Sequence, residues 1–138
     1  MLGLVRQLPI PRPISPKTHR ILDFLTSGAF GVVAGLCWGK RQNAAIAAIA
    51  NGAFVLSYTL LTDYEGNGKR PVSFETHGDL DVIQAGMAAI APELLGFKNT
   101  GIAHFFRGQA VNEAVVIALT DFEANERKLG RRLFRKVA

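Results

Sequence analysis

The run NAAIAAIANGAFVLSYTLLT at residues 43–62 holds no charged side chain. Wound as a helix at 1.5 Å per residue it measures roughly 30 Å, the thickness of a bilayer's hydrocarbon core. The run before it, ILDFLTSGAFGVVAGLCWG at residues 21–39, carries one charge, Asp23. Only Lys40, Arg41 and Gln42 separate the two, so they predict an antiparallel helical hairpin. Ser27, Gly31, Gly35 and Gly39 recur every four residues and predict a helix-packing face of small side chains, which lets membrane helices approach closely. In a soluble helix each such glycine costs about 1 kcal/mol relative to alanine.

Beyond the polar loop at residues 66–75 the chain begins again. A shift of 58 residues superimposes Thr18 on Thr76, His19 on His77, Asp23 on Asp81, Thr62 on Thr120, Asp63 on Asp121 and Glu65 on Glu123, which marks an internal duplication. The second copy predicts spans over residues 80–97 and 101–120. The expected fold is all-α, an integral membrane four-helix bundle made of two parallel transmembrane hairpin repeats. Repeat 1 covers residues 18–65 and repeat 2 residues 76–123, with a Pro-rich arm at 1–17 and a basic amphipathic tail at 124–138. Pro9, Pro11, Pro13 and Pro16 keep the arm extended and helix-free in this reading, and Ser15 before Pro16 marks the first helix start. No signal-peptide pattern is expected at the start.

Of 16 Lys+Arg against 11 Asp+Glu, six bases lie in the tail: Arg127, Lys128, Arg131, Arg132, Arg135 and Lys136. With both termini cytoplasmic, only Lys40, Arg41 and Lys98 fall on the far side, the asymmetry that orients inner-membrane proteins. Leu129, Leu133, Phe134 and Val137 alternate with the tail bases, suiting the surface of an anionic inner leaflet. The body lacks the basic, aromatic-interleaved stripe of a nucleic-acid binder. The single cysteine, Cys37, excludes a disulfide scaffold and a Cys-based zinc site. There is no phosphate-binding glycine motif, and no nucleophilic triad points to an enzyme.

The chemistry-bearing residues are duplicated. His19 and Asp23, four apart, share one helix face, and Asp63 and Glu65 end the returning helix. His77, Asp81, Asp121 and Glu123 repeat them. All eight are expected near the cytoplasmic surface as an ion-pair or ligand cluster. Carboxylates at helix C-termini want cationic neighbours, so His19 is expected to pair with Asp63 and His77 with Asp121. The alternative is a divalent metal held by the His and carboxylate set; no other cofactor is expected. A second set, Glu93, His104, Arg107 and Glu113, lies within the spans and should face the bundle, a cavity or each other. Glu93 and Arg107 are placed to pair. Glu113 sits about 240° around its helix from Arg107.

ISPKTHRILDF at residues 14–24, LLTDYE at 60–65, THGDLD at 76–81 and APELLGF at 91–97 together resemble the SPW-repeat family of small bacterial integral membrane proteins. The resemblance covers about residues 14–123. It implies paired transmembrane hairpins, each with Ser-Pro-Trp near the end of its first helix; here Pro92 alone remains in the second repeat and Ala34-Gly35-Leu36 stands in the first. It implies no activity, since that family is functionally uncharacterised. The reading is a non-enzymatic structural or accessory subunit in the cytoplasmic membrane, partnered by lipid and by other membrane subunits or its own copies. The alternatives are a metal- or cofactor-binding redox protein, a proton or ion conductor, and a soluble helical bundle.

Overall fold

The computed structural model describes residues 2–138. Its elements are α1 (Leu2–Arg6), α2 (Pro16–Cys37), α3 (Gln42–Leu61), β1 (Thr62–Asp63), β2 (Val72–Ser73), α4 (Phe74–Leu94), α5 (Gly101–Leu119) and α6 (Ala124–Val137). The helical class expected from sequence is observed. Helices α2 and α3 form one hairpin and α4 and α5 the other, with α3 packed on α4. One core joins all four: Phe30 and Cys37 from α2, Ala44 and Ala48 from α3, Ala88 from α4 and Phe106 from α5. Phe30 meets Phe106 edge-on across the bundle.

Each hairpin starts the same way. The Ser15 hydroxyl accepts from the Thr18 amide at the start of α2, and the Ser73 hydroxyl accepts from the Thr76 amide at the start of α4. Such caps satisfy amides the helix leaves free. Thr76 is therefore one of the capped residues of α4. The hairpins turn through Gly39 and Gly96, both at φ 74°, a conformation that favours glycine at helix ends. Pro92 lies two residues before the end of α4, where few helical bonds follow it.

The duplication extends further towards the N-terminus than the predicted repeat boundaries. Thr62 pairs with Val72 in the short parallel β1–β2 ladder, and Thr120 pairs in parallel with Ile14. Each hairpin's exit thus binds the entry of the other, as a two-fold axis along the bundle requires. One expectation about a flanking segment is corrected. The arm is not helix-free: α1 forms over Leu2–Arg6, upstream of every proline. Of the small-residue face, Gly31 and Gly35 are open and Ser27 is engaged with α3. A Cβ on Gly31 or Gly35 would meet nothing within 4 Å, and Gly39 lies in the turn beyond α2. The close crossing of α2 and α3 uses Gly52, where a Cβ would come 3.1 Å from Phe30 Cβ, and the Ser27 hydroxyl donates to the Gly52 carbonyl at 3.0 Å.

Buried polar side chains and exposed apolar ones accompany the apolar core. The interior holds His19, Asp23, Asn51, His77, Asp81, Gln84 and Glu113. The outward faces carry Leu25 at 64% exposure, Leu36 at 68%, Ile90 at 56% and Val111 at 65%. By length and hydropathy, α2 and α3 are the two helices able to cross a membrane. α4 and α5 do not pass that test: α4 carries Glu75, Asp79, Asp81 and Glu93, and α5 carries His104, Arg107, Gln109, Asn112 and Glu113.

Candidate metal centre

His19 and Asp23 are one turn apart on α2, and His77 and Asp81 one turn apart on α4. Facing each other across the bundle, the four place one ligand atom each within 4.8 Å of one another, all buried. His19 Nε2 is 3.3 Å from Asp23 Oδ1 and 3.1 Å from Asp81 Oδ2. His77 Nε2 is 3.1 Å from Asp23 Oδ2 and 3.3 Å from Asp81 Oδ1. The two Nε2 atoms are 3.2 Å apart. Either imidazole therefore touches both carboxylates.

Two tyrosines hold the carboxylates. Tyr64 donates its phenol proton to Asp23 Oδ2 at 2.7 Å, and Tyr58 to Asp81 Oδ1 at 2.8 Å. Two threonines hold the imidazoles from behind: His19 Nδ1 lies 2.8 Å from the Thr120 hydroxyl, and His77 Nδ1 2.8 Å from that of Thr62. Phe74 and Phe122 close the loop end, with ring centroids 5.4 Å and 5.6 Å from that of His19. Asp81 Oδ2 is buried and has no hydrogen-bond partner, although His19 Nε2 is near.

Four protein donors of this kind are able to hold a divalent metal. Each carboxylate bridges the two imidazoles, giving one oxygen to His19 Nε2 and the other to His77 Nε2, and one ligand atom from each of the four residues lies within 4.8 Å of the others. Two carboxylates and two neutral imidazoles sum to −2, which such an ion balances. A buried carboxylate left unbalanced costs several kcal/mol. Two protonated imidazoles balance the same charge, since each Nε2 lies 3.1–3.3 Å from an oxygen of both carboxylates.

The predicted eight-residue cluster divides. His19, Asp23, His77 and Asp81 converge. Asp63, Glu65, Asp121 and Glu123 stay at the loop surface, and the expected pairs His19–Asp63 and His77–Asp121 do not form. Asp63 Oδ2 instead accepts from the Gly68 amide at 2.6 Å, Glu65 accepts from Asn67, and Asp121 and Glu123 face Arg127. Chain direction explains the difference: α2 and α4 carry their His and Asp inward from the start, whereas Asp63 and Asp121 follow the last turn and point into the loops.

In the second polar set, Arg107 pairs with Glu93 at 2.7 Å, both about half-exposed, as the sequence suggested. His104 is exposed. Glu113 is buried, its Oε1 without a partner, and lies within electrostatic reach of Asp81 and Asp23. Gln84 donates to Asn51 at 3.1 Å. Sequence reading missed Tyr58, Tyr64, Thr62 and Thr120 as site residues. The two threonines carried a usable signal, because they superimpose under the same shift as the histidines.

Compared with family models, curated proteins and solved structures, the chain matches none.

Proposed function

We propose that this is a small non-enzymatic integral membrane protein, a four-span accessory subunit of the cytoplasmic membrane that holds one divalent transition metal between its two hairpins. The buried quartet of His19, Asp23, His77 and Asp81 carries the reading, because four ligand-type side chains converge there within 4.8 Å and carry the charge one divalent ion balances. Four protein donors leave no open position, the pattern of structural rather than catalytic sites. The apolar outer faces supply the membrane half, and the resemblance to SPW-repeat proteins agrees with it. Open glycines at Gly31 and Gly35 offer other spans a close approach, and the bases of α6 suit an anionic inner leaflet. The conductor reading has less support, because Phe30, Phe97 and Phe106 with the core alanines close the half of the bundle beyond Asn51.

Metal analysis of protein purified in mild detergent tests the centre: one ion per chain is expected, lost in His19→Gln and His77→Gln. Membrane placement is tested separately by carbonate extraction and by labelling cysteines placed at Lys69 and Gln42. Recovery in the soluble fraction, or labelling of both cysteines from one side, overturns the four-span reading.

A further inference from the structure

We infer that Thr62 and Thr120 are positioning residues that fix the tautomer of both histidines, so that two Nε2 lone pairs face one four-coordinate divalent ion. The inference rests on the metal reading above and adds how the site is preorganised and what it selects.

A threonine hydroxyl has one proton to give. Thr120 Oγ1 spends it on the Val116 carbonyl at 2.6 Å, and Thr62 Oγ1 on the Tyr58 carbonyl at 2.6 Å. Each is the carbonyl four residues back, which only accepts. The hydroxyl oxygen, 2.8 Å from its histidine Nδ1, must then accept, so each Nδ1 carries the proton. Tyr64 Oη also lies 3.4 Å from His77 Nδ1, but its proton goes to Asp23, leaving that oxygen too as an acceptor. With Nδ1–H fixed, a neutral imidazole presents a bare Nε2. Both bare nitrogens point at the space between Asp23 and Asp81, where Asp81 Oδ2 has no hydrogen-bond partner. Metal-bound histidines generally donate their second ring nitrogen in this way, which sets ring orientation and tautomer.

The threonines are exchanged between repeats. Thr120 of the second hairpin holds His19 of the first, and Thr62 of the first holds His77 of the second. Threonine suits the task because its hydroxyl readily bonds back to the carbonyl one turn earlier, even at the last turn of a helix. Two nitrogen and two carboxylate donors suit zinc or cobalt(II); magnesium and calcium prefer more oxygen donors.

The test titrates metal-stripped protein in detergent with cobalt(II), read by its visible absorption, and with zinc in competition. Thr62→Val and Thr120→Val should each weaken binding about 10- to 100-fold and to similar extents, while Thr62→Ser and Thr120→Ser keep wild-type affinity and spectrum. Nitrogen-15 spectra of the imidazoles in metal-stripped wild type give a readout independent of whether the variants fold, and should show Nδ1–H. Wild-type affinity and spectrum in both valine variants, or an Nε2–H tautomer, overturns the positioning role while the metal reading stands. Failure of the wild type to bind either ion at stoichiometric level overturns the metal reading and this inference with it.

Discussion

His19 and His77 stand 58 residues apart in the chain and 3.2 Å apart at their Nε2 atoms. The duplication that separates them in sequence is what brings them together in space, because each occupies the first turns of its hairpin and the hairpins are related by a two-fold axis. A position close to that axis meets its own repeat. Asp23 and Asp81 follow one turn later on the same faces, so a pair of residues duplicated becomes a buried four-residue cluster.

Metal affinity should fall steeply with acidity. The ion needs both imidazoles neutral, and protons compete for the same Nε2 atoms. Where both imidazoles are protonated in the metal-free protein, affinity should drop about a hundredfold per pH unit, two protons being displaced per ion. Zinc competition titrations at several pH values check this; affinity independent of pH would contradict imidazole ligation.

Tyr58→Phe and Tyr64→Phe each remove one hydrogen bond to a buried carboxylate. Hydrogen bonds to charged groups contribute about 1.5–3 kcal/mol, and each variant is expected to lose roughly that in thermal melts of metal-stripped protein. Added metal should restore part of the loss by binding the folded state.

Gly52→Ala and Gly35→Ala should differ in sign. A Cβ at Gly52 would stand 3.1 Å from Phe30 Cβ and 3.3 Å from the Ser27 carbonyl oxygen, so the α2–α3 crossing must open at a cost of about 1–3 kcal/mol. Gly35 faces open space, and alanine there should favour the helix by up to about 1 kcal/mol. Paired thermal melts in detergent compare the two. Loss of co-purifying membrane partners in Gly35→Ala alone would support the open face as a docking surface.

The loop after α3 should loosen in acid. Burial pushes the Asp63 carboxyl up, but the surrounding amides of Gly68, Asn67, Gly66 and Glu65 together hold it below the usual carboxylate range. A depressed folded value gives stabilisation that is present above the unfolded value near 3.9 and lost as pH falls through the folded one. Amide exchange at Gly68 should therefore report a less protected loop below about pH 4. Asp63→Asn should remove this transition without changing metal content.

The helices and the doubling were legible in sequence because each rests on local or repeated information. The charge-free run at residues 43–62 and the turn at Lys40 define the first hairpin, and the 58-residue shift transfers it to the second. The site was half legible. His19 with Asp23, and His77 with Asp81, follow from helical spacing, but their true partners do not. Asp63 and Asp121 stood nearer as candidate partners because each returns to the same end of the bundle.

Sequence by itself determined the helical class, the hairpin pairing, the duplication and the two His-x-x-x-Asp faces, since spacing along a helix fixes which side chains share a face. Tertiary structure alone decided which faces meet. It turned Gly31 and Gly35 outward and placed Gly52 at the crossing. It sent Asp63 to the Gly68 amide, and it exchanged Thr62 and Thr120 between hairpins to stand behind the histidines. Those outcomes depend on how two rigid hairpins rotate about a shared axis, and a rotation is a property of packed surfaces rather than of any one stretch of chain.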